Sequence, residues 1–374
     1  MRPFLTALAF FLPNRGGYLA SACSEDLKPI VAVSPGGYFP VLVQGEGGEL
    51  FAVVRGGAPH VGVGGRVDLI RSSDGGHTWS KPLPVATEPP DSRNPAFGVA
   101  RGGRLVVSYS VTGPYPDGKF DSHVSGQYSS WVRISDDRGK NWSQPQRLDT
   151  APYPYSSPYG KIVSLFDGTL LLPIYTWYLP EKPGGPLASE QKGDFACFMR
   201  SSDGGKTWSP PELIARGHNE TSLVVLPRDE LLAVMRDMAG GLSQSRSRDK
   251  GRMWSASRPL LTPGQHPADV IRLASGRLLA VFGHRKPPLG VQAIWSDDGG
   301  ETWSLPRRAV LEGKSVNTDC GYPSSVQLAD GTIVTMYYGV AHRVRTELNQ
   351  YAMVVRYREG DLAGLAVSEE AGKE

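Results

Sequence analysis

Five short segments hold the side chains best suited to chemistry. They are Arg55-Gly56-Gly57-Ala58-Pro59-His60 (with Arg66 close behind), Asp91-Ser92-Arg93-Asn94-Pro95, His218-Asn219-Glu220-Thr221, Gly283-His284-Arg285 and Asp319-Cys320-Gly321-Tyr322-Pro323. His60 is a candidate catalytic residue, because imidazole gains and loses its proton near neutral pH. Arg66 and Arg93 are candidates for holding an anionic substrate, since a guanidinium offers paired donors that match a carboxylate. Asp91 and Asn94, beside Arg93, complete this set of substrate-binding candidates. No group of His and carboxylates has metal-ligand spacing, so neither a metal nor another cofactor is expected.

These segments lie far apart in the chain, and a repeat explains how they could meet. The phrase Ser-x-Asp-x-Gly-x-Thr-Trp, followed by Ser, occurs five times around Asp74, Asp137, Asp203, Asp249 and Asp298, with Asn141 and Met253 as variants at the Thr position. Its Gly permits a positive φ, its Asp can accept backbone amides, and its Trp can anchor the turn on a strand. Each copy reads as a structural hairpin tip. One or two Asp among Gly, Lys and Arg fall short of the oxygen ligands that calcium needs.

A second repeat gives the count. Six short turns, at Gly45–Gly48, Arg101–Gly103, Phe166–Gly168, Pro227–Asp229, Ala274–Gly276 and Ala329–Gly331, sit between β-rich apolar runs. These are hairpin signals. The order is strand, short turn, strand, loop, strand, Asp-phrase, strand, which makes a four-stranded antiparallel unit. Asp-phrases 46 to 66 residues apart suit propeller blades, some with insertions. The reading is a single all-β, six-bladed β-propeller over residues 28–360, whose last blade lacks the phrase. Tyr351 to Tyr357 would be that blade's third strand and Lys28 to Val33 its outermost, closing the ring. Polar residues at the ends of the innermost strands then converge on the central axis.

Composition narrows the function. Net charge is +3 with 21% charged residues and no basic stripe, which argues against nucleic-acid binding. No apolar run is long enough to span a membrane. Arg2, the run Phe4 to Leu12 and the Leu19-to-Cys23 stretch make residues 1–27 resemble a secretory or lipoprotein leader, and imply a secreted or periplasmic protein. Three cysteines give no disulfide framework. Residues 361–374 read as a polar tail, and a monomer is expected.

The Asp-phrases, known as Asp boxes, and the six-blade count together resemble the sialidase superfamily over about Tyr38 to Tyr357. That resemblance implies a Tyr nucleophile and a partnering Glu. The run Tyr322-Pro323-Ser324-Ser325-Val326-Gln327-Leu328-Ala329-Asp330-Gly331 is similar to the one that follows the family's Tyr, and Asn219-Glu220 to its Asn-Glu pair. A phenol with an ordinary pKa of about 10 needs a carboxylate to take its proton during attack. Arg236 falls where the family's second carboxylate-binding Arg would, and Arg285 is a looser candidate for the third. The first Arg is missing, because the corresponding run is Tyr38-Phe39-Pro40. The acidic residue that would orient it is missing too, since Tyr337 is followed by Tyr338. The family's proton-donating Asp has no clean match: Asp68 is near but, four residues before Ser72, reads as part of the strand, and His60 stands in the corresponding loop.

The chain therefore reads as a sialidase-like exo-acting glycosidase on an acidic or otherwise decorated terminal glycan sugar, but not as an ordinary sialidase. Tyr322 would be its nucleophile, Glu220 the base and His60 the acid. A uronate-directed lyase is the alternative: His60 or Tyr322 would remove the C5 proton while Arg66 and Arg93 neutralise the carboxylate. The third reading is a carbohydrate-binding propeller without catalysis. Trp177, Tyr178, Tyr153, Tyr155 and Tyr159 are candidate sugar-stacking aromatics.

Overall fold

The computed structural model describes residues 27–344 and 347–368. Its strands form six sheets set around an axis. From the axis outward, blade 1 is Tyr38–Gln44, Leu50–Gly56, Arg66–Ser72 and Leu83–Ala86, and blade 2 is Ser92–Val99, Leu105–Val111, Ser129–Ser135 and Gln146–Arg147. Blade 3 runs Tyr155–Pro158, Leu170–Trp177, Phe195–Ser201 and Glu212–Arg216; blade 4 runs His218–Val225, Leu231–Asp237, Leu242–Ser247 and Arg258–Leu261. Blade 5 is Gln265–Arg272, Leu278–His284, Gly290–Ser296 and Arg307–Glu312. Blade 6 takes Gly321–Gln327, Thr332–Val344 and Glu347–Arg358 from one end of the chain and Ile30–Val33 from the other. Ile30 pairs antiparallel with Val354, so the ring closes as the sequence indicated.

The blades depart from four strands in three places. Blade 3's inner edge is interrupted after Pro158, which has no N–H to donate. Beyond Tyr159, Gly160–Lys161 leave to pair in parallel with Ala96 and Phe97 of blade 2. Val163–Ser164 then rejoins blade 3. At blade 5's outer edge, Ala366–Ser368 adds a fifth strand beside Arg307–Ala309. The segment expected as a polar tail is described to Ser368, and there it is docked, because Leu362 is buried and Leu365 packs beside it. The remainder of that tail, and the leader segment up to residue 26, lie outside the described residues.

The apolar core is divided among the joints between blades. Six of the buried clusters each draw on two neighbouring blades: Val53, Leu69 and Phe97 between blades 1 and 2, for example, or Leu232, Val234 and Phe282 between blades 4 and 5. Strand residues alternate between the two faces of a blade, so each sheet feeds two joints.

The Asp boxes staple those joints. In the first, Asp74 Oδ1 accepts the amides of His77 and Thr78 at 3.1 and 3.0 Å, while Ser72 Oγ accepts the Gly76 amide at 2.9 Å. Trp79 Nε1 donates to the Gly76 carbonyl at 3.2 Å. The glycine at the fifth position of each box lies against the preceding blade: a Cβ on Gly76 would meet Val334 of blade 6, one on Gly139 Leu69 of blade 1, and one on Gly300 Leu232 of blade 4. Blade 6 has no box, and at its joint with blade 5 the docked segment with Leu362 and Leu365 fills the core instead.

Near the axis the innermost strands share a defect. Five of them shift register at the same level, between Tyr38 and Val41, Arg93 and Ala96, His218 and Thr221, Gln265 and Ala268, and Gly321 and Ser324. In four of these bulges a proline removes a ladder donor: Phe39-Pro40, Asn94-Pro95, His266-Pro267 and Tyr322-Pro323. Phe39, Asn94 and Tyr322 have φ of 52, 47 and 50°, a left-handed conformation that costs these residues about 1–3 kcal/mol each. One consistent consequence is that the bulged residues are those found around the axial site. Deeper in, a strut crosses the axis. Lys161 Nζ donates to Asp269 Oδ2 at 2.5 Å and to the Ser325 carbonyl at 2.8 Å, and the Ser325 amide donates to Asp269 Oδ2 at 2.7 Å.

Candidate active site

The bulges of blades 4 and 6 bring Glu220 and Tyr322 together. The Tyr322 hydroxyl donates to Glu220 Oε1 at 2.5 Å, and Arg236 Nη1 donates to Glu220 Oε2 at 3.0 Å. Glu220 is buried, so its two oxygens are committed to one proton donor and one cation. Burial first, and the Glu220 charge second, push the Tyr322 phenol well above its ordinary pKa. The hydroxyl is thus protonated at rest and can ionise in step with transfer to Glu220. Burial works against the charge of Arg236, but Glu220 and Tyr322 outweigh it and raise its pKa.

Arg285 extends this cluster from blade 5. Its guanidinium carbon lies 5.8 Å from the centre of the Tyr322 ring. Its Nε and Nη2 are buried and have no hydrogen-bond partner among the described residues. Buried donors are nearly always paired, so these two point to a missing acceptor. His266, in the blade 5 bulge, is also buried with an unpartnered Nδ1. Burial, then the charges of Arg236 and Arg285, pull its pKa down to about 3, so the ring stays neutral beside two cations.

The other side of the axis is aromatic. Phe39 meets Tyr322 edge-on at 4.8 Å between ring centres, Tyr338 at 5.7 Å and His60 at 4.9 Å. Arg93 packs over both Phe39 and Tyr128, each at 5.7 Å. His60 Nδ1 lies 2.8 Å from Asp319 Oδ1. Below Tyr322 and Glu220 sits a cavity of about 20 Å³, lined by Asn94, Tyr159, Tyr175, Asp269 and Ser324 among others, large enough for about one water.

With the fold and this geometry in view, the relatives can be named. Residues 48–335 match the BNR repeat-like domain. The chain belongs to the BNR repeat-like family. Among curated proteins, this BNR repeat-like chain is similar to a sialidase of Bacteroides fragilis (strain YCH46), at 27% identity over 320 residues, which cover 76% of this chain and 55% of that protein. The chain thus spans about half the length of that relative. Among solved structures, a protein of unknown function from Dyadobacter fermentans superposes with a TM-score of 0.71 at 21% identity, over 88% of this chain and 98% of that one. The Hadza microbial sialidase Hz136 gives 0.67 at 19% identity, over 87% of this chain and 66% of that one. The intramolecular trans-sialidase of Ruminococcus gnavus gives 0.66 at 15%, over 87% and 95%. At these identities the structural likeness concerns the fold, which is the sialidase-like propeller expected from the Asp boxes.

The candidates singled out in the sequence do not all meet in this BNR repeat-like propeller. Tyr322, Glu220, Arg236 and Arg285 form one cluster, and His60, Arg93 and Asn94 adjoin it through Phe39 and the cavity wall. Asn94 Nδ2 donates to Ser157 Oγ at 3.1 Å and to the Tyr175 hydroxyl at 3.4 Å. Asp91 lies behind the site with no exposed surface. Its carboxylate pairs with buried Arg55 and accepts the Tyr115 hydroxyl at 2.7 Å, so it supports Arg93 from beneath and faces no substrate. Arg66 is apart from the cluster, with Nε bonded to Asp68 Oδ1 at 2.8 Å in a cleft shared with Gly36 and Gln350. Of the aromatics, Tyr159 and Tyr175 line the cavity, and Trp177 stacks on Tyr175 at 5.5 Å. Tyr153 and Tyr178 pack on Phe195. His266 was missed in the sequence; the x-Pro pattern of Phe39-Pro40, Asn94-Pro95 and Tyr322-Pro323, which His266-Pro267 repeats, was the available signal.

Proposed function

We propose that this protein is a sialidase-like glycoside hydrolase that releases a terminal carboxylated sugar through a covalent intermediate on Tyr322. The observation that carries this reading is the 2.5 Å hydrogen bond from Tyr322 to Glu220, with Arg236 on the second carboxylate oxygen. As the Tyr322 oxygen attacks the anomeric carbon, its proton passes to Glu220 along that bond, and the cation of Arg285 over the ring offsets the phenolate charge that develops. A carboxylated sugar is favoured because Arg236 and Arg285 both act on Tyr322 and His266, and Arg285 has two buried donors without an acceptor among the described residues. The Bacteroides fragilis sialidase adds support, as a relative with that activity in its name. The run that corresponds to the family's first arginine is Tyr38-Phe39-Pro40, whose rings pack with Tyr338 and Tyr322, which favours a substrate bound by two guanidiniums and an aromatic wall.

The test is mechanism-based trapping. A fluorinated sialosyl fluoride should add its glycosyl mass to the peptide containing Tyr322, and Tyr322→Phe should abolish both labelling and turnover. A product absorbing as an unsaturated uronate would instead establish lyase chemistry and remove the hydrolase reading.

A further inference from the structure

We propose that His60 and Asp319 form a catalytic dyad in which His60 is the acid and base at the leaving group and Asp319 is its positioning residue. The inference rests on the glycosidase reading above and supplies the proton donor that the Tyr322–Glu220 pair lacks. Asp319 is held from three sides. Its Oδ1 lies 2.8 Å from His60 Nδ1 and accepts the Tyr338 hydroxyl at 2.6 Å, while Oδ2 accepts Gln350 Nε2 at 2.9 Å. A carboxylate so fixed orients the imidazole and sets which ring nitrogen is left for a substrate.

The rest of the surroundings fit that role. The imidazole touches Tyr38, Phe39 and Tyr338, with ring centres 5.6, 4.9 and 6.5 Å away, so its plane is set by three rings and a carboxylate. About a third of the side chain, 37%, remains exposed. Nε2 has no partner among the described residues, which leaves one nitrogen for substrate. The titratable groups facing the ring are Asp319, Tyr38 and Tyr338, and Arg285 acts on Asp319 from blade 5. Burial would raise the Asp319 pKa, yet the bonds from His60 and Tyr338 outweigh it and lower it, so the carboxylate is charged whenever the imidazole needs a counter-ion. Phe39 separates His60 from Tyr322, touching both, which puts acid and nucleophile on two sides of one narrow site.

The two steps balance as follows. Protonated His60 gives its Nε2 proton to the glycosidic oxygen as the bond from that oxygen to the anomeric carbon breaks and its electron pair stays on oxygen. Tyr322 forms the new bond to carbon, and its proton goes to Glu220. Neutral His60 then takes a proton from water, whose oxygen attacks the same carbon. The Tyr322 oxygen leaves and recovers its proton from Glu220.

Acid assistance matters most when the leaving group is poor, and this supplies the experiment. Turnover of a sialyl-lactose and of a 4-nitrophenyl sialoside would be compared for wild type, His60→Ala, His60→Gln and Asp319→Asn. For both His60 variants, turnover of the sugar-linked substrate should fall about 10²–10⁴-fold, and that of the nitrophenyl substrate less than tenfold. Asp319→Asn should show the same selectivity in milder form, with the alkaline limb of its pH–rate profile displaced. Equal losses on both substrates, or no loss, would overturn the dyad while labelling of Tyr322 in the same variants kept the hydrolase reading intact. Failure to label wild-type Tyr322, with no turnover of either substrate, would remove both.

Discussion

Replacing Asp91 by Asn tests whether this residue is a buried counter-ion or a substrate ligand. Neither Asp91 nor Arg55 has exposed side-chain surface, and Arg93, whose Nη1 lies 3.9 Å from Asp91 Oδ2, is only 4% exposed. One carboxylate therefore offsets two interior guanidiniums. Asn keeps the shape and the bond from the Tyr115 hydroxyl but removes the charge. Leaving one partner of a buried pair uncompensated costs about 3–5 kcal/mol, and for a domain of this size each kcal/mol moves the melting temperature by roughly 2 °C. A drop of roughly 6–10 °C is therefore expected by calorimetry or by fluorescence of the Trp side chains. Removing the Arg55–Asp91 pair with Arg55→Met and Asp91→Leu should recover part of that loss, because an apolar pair avoids the desolvation penalty while Arg93 and the Tyr115 hydroxyl still lack their partner. A single variant that melts within 1 °C of wild type, or a double variant no better than the single, would refute this account.

Three further outcomes follow from the same structure. The Asp137, Asp203 and Asp298 carboxylates are held at about 2 by hydrogen bonds within their boxes, despite some desolvation at Asp203. Because these folded values lie below the ordinary one of about 4, their stabilisation is present above that pH and lost as pH falls towards 2. The urea midpoint should drop between about pH 4 and 2, and drop less in Asp137→Asn. Gly139→Ala would put a Cβ 2.5 Å from Leu69 Cδ2 at φ 76°, so about 1–3 kcal/mol should be lost by urea titration, with the joint between blades 1 and 2 exchanging amide protons first. Leu362→Ala should cost about 2–5 kcal/mol, since Leu362 is 1% exposed at the joint that lacks an Asp box.

Much of the propeller was legible because its repeats are local. The Ser-x-Asp-x-Gly-x-Thr-Trp phrase bonds within itself, so its shape depends on its own residues, and each short turn needs only its two flanking strands. Tyr322 and Glu220 were legible through their resemblance to a family pattern. The Asp91 environment was not, because pairing with Arg55 depends on how blades 1 and 2 pack. Arg66 misled for the same reason: proximity to His60 in sequence gave no information on which way the strand would turn it. Asp319 stood in a segment already singled out, but its role depends on Tyr338 and Gln350, which reach it from separate strands. Residues 361–368 looked polar in composition, although two leucines sufficed to dock them.

The Lys161 strut has a consequence for traffic. Bonded to Asp269 of blade 5 and Ser325 of blade 6, and 14% exposed against 5% for Asp269, it blocks the middle of the ring with a paired charge instead of a tunnel. Whatever enters beside Tyr322 must back out through the same mouth. A polymer cannot be threaded through such a floor, so on the glycosidase reading proposed above the part of a glycan beyond the reacting sugar has to lie on the open side of the site.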